Sequence, residues 1–137
     1  FSWDKVLNFD GETGPYVQYT HARACSVLRN ASEEELKAIS EGSFDTSYLA
    51  GDSAYALAKL MYRVPEVIRD AAEKYEPSIL TRHLVDIAQS FNKFYHDEHI
   101  LVENEDEKIA KLSLVLAAKT VIANCLAILG IKAPERM

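Results

Sequence analysis

Residues 77–95 read PSILTRHLVDIAQSFNKFY. Within that stretch Leu80, Leu84, Ile87, Ala88, Phe91, Phe94 and Tyr95 recur at steps of three and four, which lays a single apolar stripe along a helix. Pro77 suits the first helical position, where its missing N–H leaves nothing unpaired. Such a stripe must be buried against neighbours, and both flanks supply them. Downstream, a polar connection from about Asp97 to Asn104 leads into a last helix, expected over Glu105 to Leu129. Glu105, Asp106 and Glu107 sit at its positive end, and Gly130 terminates it. From Leu112 to Leu129 this helix is apolar on most sides, which places it at the centre of a bundle. Lys119, Thr120 and Asn124 interrupt the run, so it reads as a buried helix rather than a membrane span, with Asn124 making an interhelical hydrogen bond.

Upstream, helix resumes at Ser53 and breaks at Val64-Pro65, because proline lacks the donor and disfavours helix at the preceding residue. Pro65 opens another helix, carrying Val67, Ile68, Ala71, Ala72 and Tyr75. Ser43 to Asp52 has no period and reads as a loop. Ser32 with Glu35 forms a capping box before a short helix ending near Glu41-Gly42. Pro15 opens a helix reaching about Asn30, with Thr13 or Gly14 as its cap. The fold class is therefore all-α, a bundle of about five to six helices over 15–137. Residues 1–14 read as a linker, with a turn at Asn8-Phe9-Asp10-Gly11.

The 137 residues fit one domain that can bury a sizeable core. Cys25 and Cys125 have no CxxC spacing, which argues against a disulfide framework or a zinc site and suits a reducing cytosol. Phe1-Ser2-Trp3-Asp4 has neither a basic nor an apolar leader region, and the absence of an initiator Met suggests a fragment. The net charge of −6 counts against binding a polyanion by phosphate attraction alone. That charge is uneven: residues 1–76 hold 13 acids and 8 bases, and 77–137 hold 8 acids and 7 bases.

Nothing in the chain resembles a catalytic centre. There is no phosphate-cradling glycine loop, no serine elbow and no HExxH frame. His96 and His99 form an HxxH pair, but a full ligand set cannot be named around them, so no metal is expected.

Two longer stretches are more specific. Gly11-Glu12-Thr13-Gly14-Pro15-Tyr16-Val17-Gln18-Tyr19-Thr20-His21-Ala22-Arg23 resembles the segment joining the catalytic core of arginyl-tRNA synthetases to their C-terminal anticodon-binding domain. Leu129-Gly130-Ile131-Lys132-Ala133-Pro134-Glu135-Arg136-Met137 resembles the terminus of the same family. Between them Arg63-Val64-Pro65-Glu66-Val67, Glu76-Pro77 and Phe91-Asn92-Lys93-Phe94-Tyr95 fall in the family's order. The resemblance implies a DALR-type anticodon-binding domain whose partners are the anticodon stem-loop of tRNA(Arg) and the catalytic domain of the same chain. DNA and membrane are not expected partners. It also implies a cytoplasmic ligase in which ATP and Mg act in the full-length enzyme, while this fragment has no cofactor and does not aminoacylate alone.

The resemblance further implies that Tyr95, His99 and Met137 read the anticodon loop, the position of His99 being aromatic in some relatives. Tyr16, Gln18, Tyr19, His21 and Arg23 carry polar tips on one helix and read as tRNA contacts mixed with docking surface. For Tyr16 and Tyr19, satisfied helix-packing groups are the other reading. Lys93, Lys108, Lys111, Lys132 and Arg136, all in the less acidic half, are candidates for phosphate contacts. Two alternatives stay open: a helical protein–protein interaction domain without RNA affinity, and the anticodon domain of another class I synthetase.

Overall fold

A computed structural model of the chain describes residues 2–6 and 13–137. The turn expected at Asn8–Gly11, most of the expected linker and the Gly11-Glu12 pair lie outside the described residues. A short helix α1 (Trp3–Val6) precedes them. Helix α2 (Gly14–Leu28) starts where Thr13 accepts a hydrogen bond on its hydroxyl from the Tyr16 N–H at 3.3 Å, with Pro15 in the first turn. Helix α3 (Glu33–Ser40) opens on the expected capping box. Ser32 Oγ accepts from the Glu35 N–H at 3.1 Å, and Glu35 Oε2 accepts from the Ser32 N–H at 2.6 Å.

The segment read as loop contains one 3-10 turn (Thr46–Leu49), started by Asp45 Oδ1 accepting from the Ser47 N–H. Helix α4 (Asp52–Tyr62) and helix α5 (Val64–Lys74) are separated at Arg63, where Pro65 removes the donor that would continue the ladder. Tyr75 ends α5 in the left-handed region at φ 53°, a position more often held by glycine or asparagine. Helix α6 (Pro77–Asp97) and helix α7 (Glu105–Ile128) follow, the latter capped by Asn104 Oδ1 accepting from the Glu107 N–H at 3.0 Å. Every helix expected from capping and proline signals is present, with ends shifted by a residue or two.

Helix α6 packs against α2, α4, α5 and α7, while α7 packs against α2, α3, α4, α6 and the 3-10 turn. Leu57, Leu84, Ile87, Ala88, Phe91, Phe94, Leu112, Val115, Ala118, Ile122 and Leu126 make the solvent-free centre. The most apolar window of α7 passes a membrane test on length and hydropathy, but 56% of it is buried in this core. Asn124 is exposed, contrary to the interhelical bond expected of it. His83 Nε2 meets the Leu60 carbonyl at 2.8 Å near one end of α6. At the other end the Glu98 carboxylate lies against Gly51, so α6 runs antiparallel to α4. Beyond α7, Gly130 at φ 74° reverses the chain, and residues 131–137 return along α2.

Glu35 on α3 pairs with Lys108 on α7. Burial pushes the Glu35 carboxyl up, but hydrogen bonds from Lys108 and the Ser32 N–H outweigh it and hold the group below the ordinary carboxylate value. A lowered native pKa contributes stability that is present above the unfolded value, about pH 4.3, and disappears as pH falls through the native one. Glu35→Gln is therefore expected to flatten the loss of stability on the acid side, read from unfolding midpoints between neutral pH and acid. Phe91→Ala is expected to cost about 3–5 kcal/mol in denaturant unfolding, because Phe91 has no exposed surface and a cavity would remain.

Candidate nucleic-acid interface

A cleft of ≈ 670 Å³ opens between α2, the end of α6, the connection to α7 and the returning tail, with Tyr19, Arg23, Arg29, Tyr95, His99, Arg136 and Met137 among its lining residues. The sequence distances involved are long, and three local arrangements bring these groups together.

The first is a stack. The Arg23 guanidinium sits 5.0 Å from the ring centroid of Tyr19 and 5.0 Å from that of Tyr95, within the range of a cation–π contact. Tyr19 is one helical turn before Arg23 on α2, so the first contact is local. Tyr95 reaches the same guanidinium from α6, where it leaves the apolar stripe and stands 38% exposed. His96 stands edge-on to Tyr95 at 5.6 Å.

The second arrangement holds the tail. Gln18 Nε2 donates to the Lys132 carbonyl at 2.8 Å, and Arg29 Nη1 donates to the Glu135 carbonyl at 3.2 Å. Between them His21 Nδ1 meets the Pro134 carbonyl at 2.9 Å. A carbonyl only accepts, so Nδ1 carries the proton. Gln18 and His21 on α2 and its C-cap Arg29 line up on one side of the helix, which turns an otherwise irregular tail into a strap that delivers Arg136 and Met137 to the cleft.

The third is a buried cation. Lys111 on α7 is 5% exposed and donates to the His99 carbonyl at 2.8 Å, to Glu107 Oε1 at 2.7 Å and to Glu98 Oε2 at 3.0 Å. Burial alone would lower its ammonium pKa, but the bonds to Glu107 and Glu98 reverse this and leave it raised. The connection carrying His99, Ile100 and Leu101 is thereby fastened to α7.

Residues 17–137 match the family model described as the DALR anticodon binding domain. The chain belongs to that family. It is 53% identical over its whole length to an arginine–tRNA ligase of Alkaliphilus metalliredigens and 50% identical to one of Clostridioides difficile, spanning 23% of each relative. Among solved structures it resembles Thermus thermophilus arginyl-tRNA synthetase with a TM-score of 0.86 and 38% identity, covering 100% of this chain and 23% of that one. A Plasmodium falciparum arginyl-tRNA synthetase superposes with a TM-score of 0.83 and 26% identity, again over 100% of this chain and 23% of the other.

In this DALR domain six of the expected residues converge: Tyr19, Arg23, Tyr95, His99, Arg136 and Met137 all line the cleft. Three others act behind it. His21 is 2% exposed and anchors the tail, so it is not a surface contact. Gln18 does the same from the rim. The Tyr16 hydroxyl accepts from Asn92 at 2.9 Å, which is the helix-packing alternative. The expected phosphate lysines lie elsewhere. Lys93 pairs with Asp97 at 2.8 Å on an exposed face of α6, Lys108 is taken by Glu35, and Lys132 contributes its backbone carbonyl to the strap. Lys111 is buried between two carboxylates and is not open to a phosphate, because its ammonium has three internal acceptors. Sequence reasoning missed Arg29, Leu101 and Asn92. Arg29 carried a signal, one stripe position with Gln18 and His21, whereas Leu101 in an irregular connection carried none.

Lys111→Met would leave Glu98 and Glu107 facing each other without their cation. The cost is expected near the lower end of about 3–5 kcal/mol, since both carboxylates keep some contact with water. Denaturant unfolding measures it, and faster amide exchange at residues 99–101 should accompany it.

Proposed function

We propose that this domain reads the anticodon loop of an arginine-accepting tRNA as part of a longer arginine–tRNA ligase. The observation that carries this reading is the cleft itself, where two tyrosine rings, a guanidinium, an imidazole and the terminal methionine meet on one concave surface. Every arginine codon has G in second place, so the matching anticodons share a central C. Unstacked loop bases are read by stacking on aromatic or guanidinium planes and by hydrogen bonds to their Watson–Crick edges. Tyr95 offers a half-exposed ring for stacking, and Arg23 offers donors matching the N3 and O2 acceptors of a cytosine. Arg29 and Arg136 also line the cleft and are the cations available to loop phosphates. His99 adds an imidazole to the same lining.

The ligation chemistry lies, on this reading, in the part of the ligase outside these residues. Among the described residues the glycines start or end helices: Gly14 and Gly51 stand at starts, and Gly42 and Gly130 at ends with positive φ. None forms a phosphate-cradling loop, and on this reading ATP and Mg act in the catalytic part of the ligase. On the same reading the ligase works in the cytoplasm.

Tyr95→Ala in the full-length ligase is expected to raise KM for tRNA roughly 5- to 150-fold, the equivalent of one lost base–aromatic stack. KM for arginine and for ATP, measured at saturating tRNA, should not move. Unchanged tRNA kinetics would remove Tyr95 from the reading surface. Replacing the central C of an anticodon stem-loop should weaken its binding to the wild-type ligase and leave the Tyr95→Ala variant less discriminating.

A further inference from the structure

Asn92 is 9% exposed on α6, one turn before the half-exposed Tyr95–His96 end, and all of its hydrogen-bonding capacity toward α2 is in use. Its Nδ2 donates to the Tyr16 hydroxyl at 2.9 Å and to Thr20 Oγ1 at 2.9 Å, and its Oδ1 accepts from Arg23 Nη1 at 2.6 Å. Thr20 Oγ1 in turn donates to the Tyr16 carbonyl at 2.9 Å. The amide can point only one way, because turning it over would set its NH2 group against the guanidinium donors. Among the described residues no carboxylate forms an ion pair with Arg23. Its other partners are the Tyr19 hydroxyl at 3.5 Å and the faces of Tyr19 and Tyr95.

This choice of partner matters. Arginines that must merely be held are usually tied by a carboxylate, and a carboxylate here would cancel the charge that an anionic ligand is to meet. A neutral amide fixes the guanidinium plane through a short bond to a charged donor and leaves the full positive charge facing the cleft. The hydroxyls of Tyr16 and Thr20 fix the amide in its turn, so the orientation of Arg23 is set from the protein interior before any ligand arrives. Preorganised donors spare the ligand the cost of ordering them.

We infer that Asn92 is a positioning residue for tRNA recognition: it holds Arg23 between Tyr19 and Tyr95 as an oriented, unneutralised guanidinium. This rests on the reading of the cleft as the anticodon site. The test is a double-mutant cycle in the full-length ligase with an arginine-accepting tRNA transcript. Asn92→Leu is expected to raise KM for tRNA about tenfold, the size of one lost hydrogen bond to a charged group. KM for arginine and ATP should stay constant at saturating tRNA. In an Arg23→Ala background the same Asn92→Leu change should add no further loss, because Asn92 acts through that guanidinium. Additive losses overturn the inference, since they are what a general packing role would produce, and so does a silent Asn92→Leu beside a damaging Arg23→Ala. If Arg23→Ala and Tyr95→Ala are both silent, the cleft reading fails and this inference falls with it. Should Asn92→Leu not fold, Asn92→Asp keeps the size and the acceptor but places a negative charge on Arg23. It is expected to make the dependence of log K on log salt shallower by about one, as for one lost phosphate contact, and an unchanged slope overturns the proposal.

Discussion

Helix α6 touches four other helices, and the burial of Leu84, Ile87, Ala88, Phe91 and Phe94 fixes its rotation as well as its place. Rotation is what the site depends on. With Phe91 and Phe94 directed into the core, helical geometry turns Asn92 toward α2 and brings Tyr95 out at the rim. The same few residues therefore contribute the largest buried side chains, the internal clamp on Arg23 and one face of the stack around it. A shift of one position in that register would bury Tyr95 and expose a phenylalanine, and the cleft would lose its wall. Core packing and ligand geometry are a single constraint here.

On the proposed reading an acidic domain faces a polyanion, and the way its cations are partnered permits this. Of the lysines in the less acidic half, Lys93, Lys108 and Lys111 are each paired with a carboxylate, and Lys111 is buried between two. These cations serve the fold. The guanidiniums around the cleft are treated differently: Arg23 leans on an amide and two rings, and Arg29 on a backbone carbonyl. Neutral partners orient a charge without cancelling it. A small number of such groups beside aromatic planes suits reading a few unstacked bases, where stacking and edge-to-edge bonds do more than bulk attraction. On the proposed reading the formal charge of −6 is no obstacle, because recognition of a few bases needs only a few well-placed cations.

The fold was nearly all legible in the sequence because its helix ends are marked chemically. Thr13, the Ser32–Glu35 box, Pro65, Pro77, Asn104 and Gly130 act within a few residues of themselves, so one strand of sequence contains both partners of each signal. The candidate site was legible only in its exposed members. Lys111 was read as a surface cation, although it lies four residues before Val115 and seven before Ala118, on the stripe that α7 buries. His21 likewise shares a face with Val17 and Ala24. In both cases a polar residue in register with apolar ones was the available sign of an internal partner. The identity of that partner was not available: the Glu98 carboxylate and the Pro134 carbonyl arrive from segments whose path depends on tertiary contacts, and spacing carries no information about them.

Met137 and Arg136 reach the cleft at the end of a seven-residue tail without regular structure, and this shapes how the site must form. Ordering an irregular segment costs about 1–2 kcal/mol per residue, which a free tail would not recover. Here Gln18, His21 and Arg29 each hold a carbonyl of the tail, and the imidazole of His21 that makes one of those bonds is itself buried. Gln18 and His21 belong to α2, the helix that also carries Tyr19 and Arg23, and Arg29 caps its end. The tail therefore docks along the same helix that contributes Tyr19 and Arg23 to the stack. The cleft is thus built in layers that depend on one another from the inside outward: the α6 register sets Asn92, Asn92 holds Arg23, and the strap brings Arg136 and Met137 to the same groove.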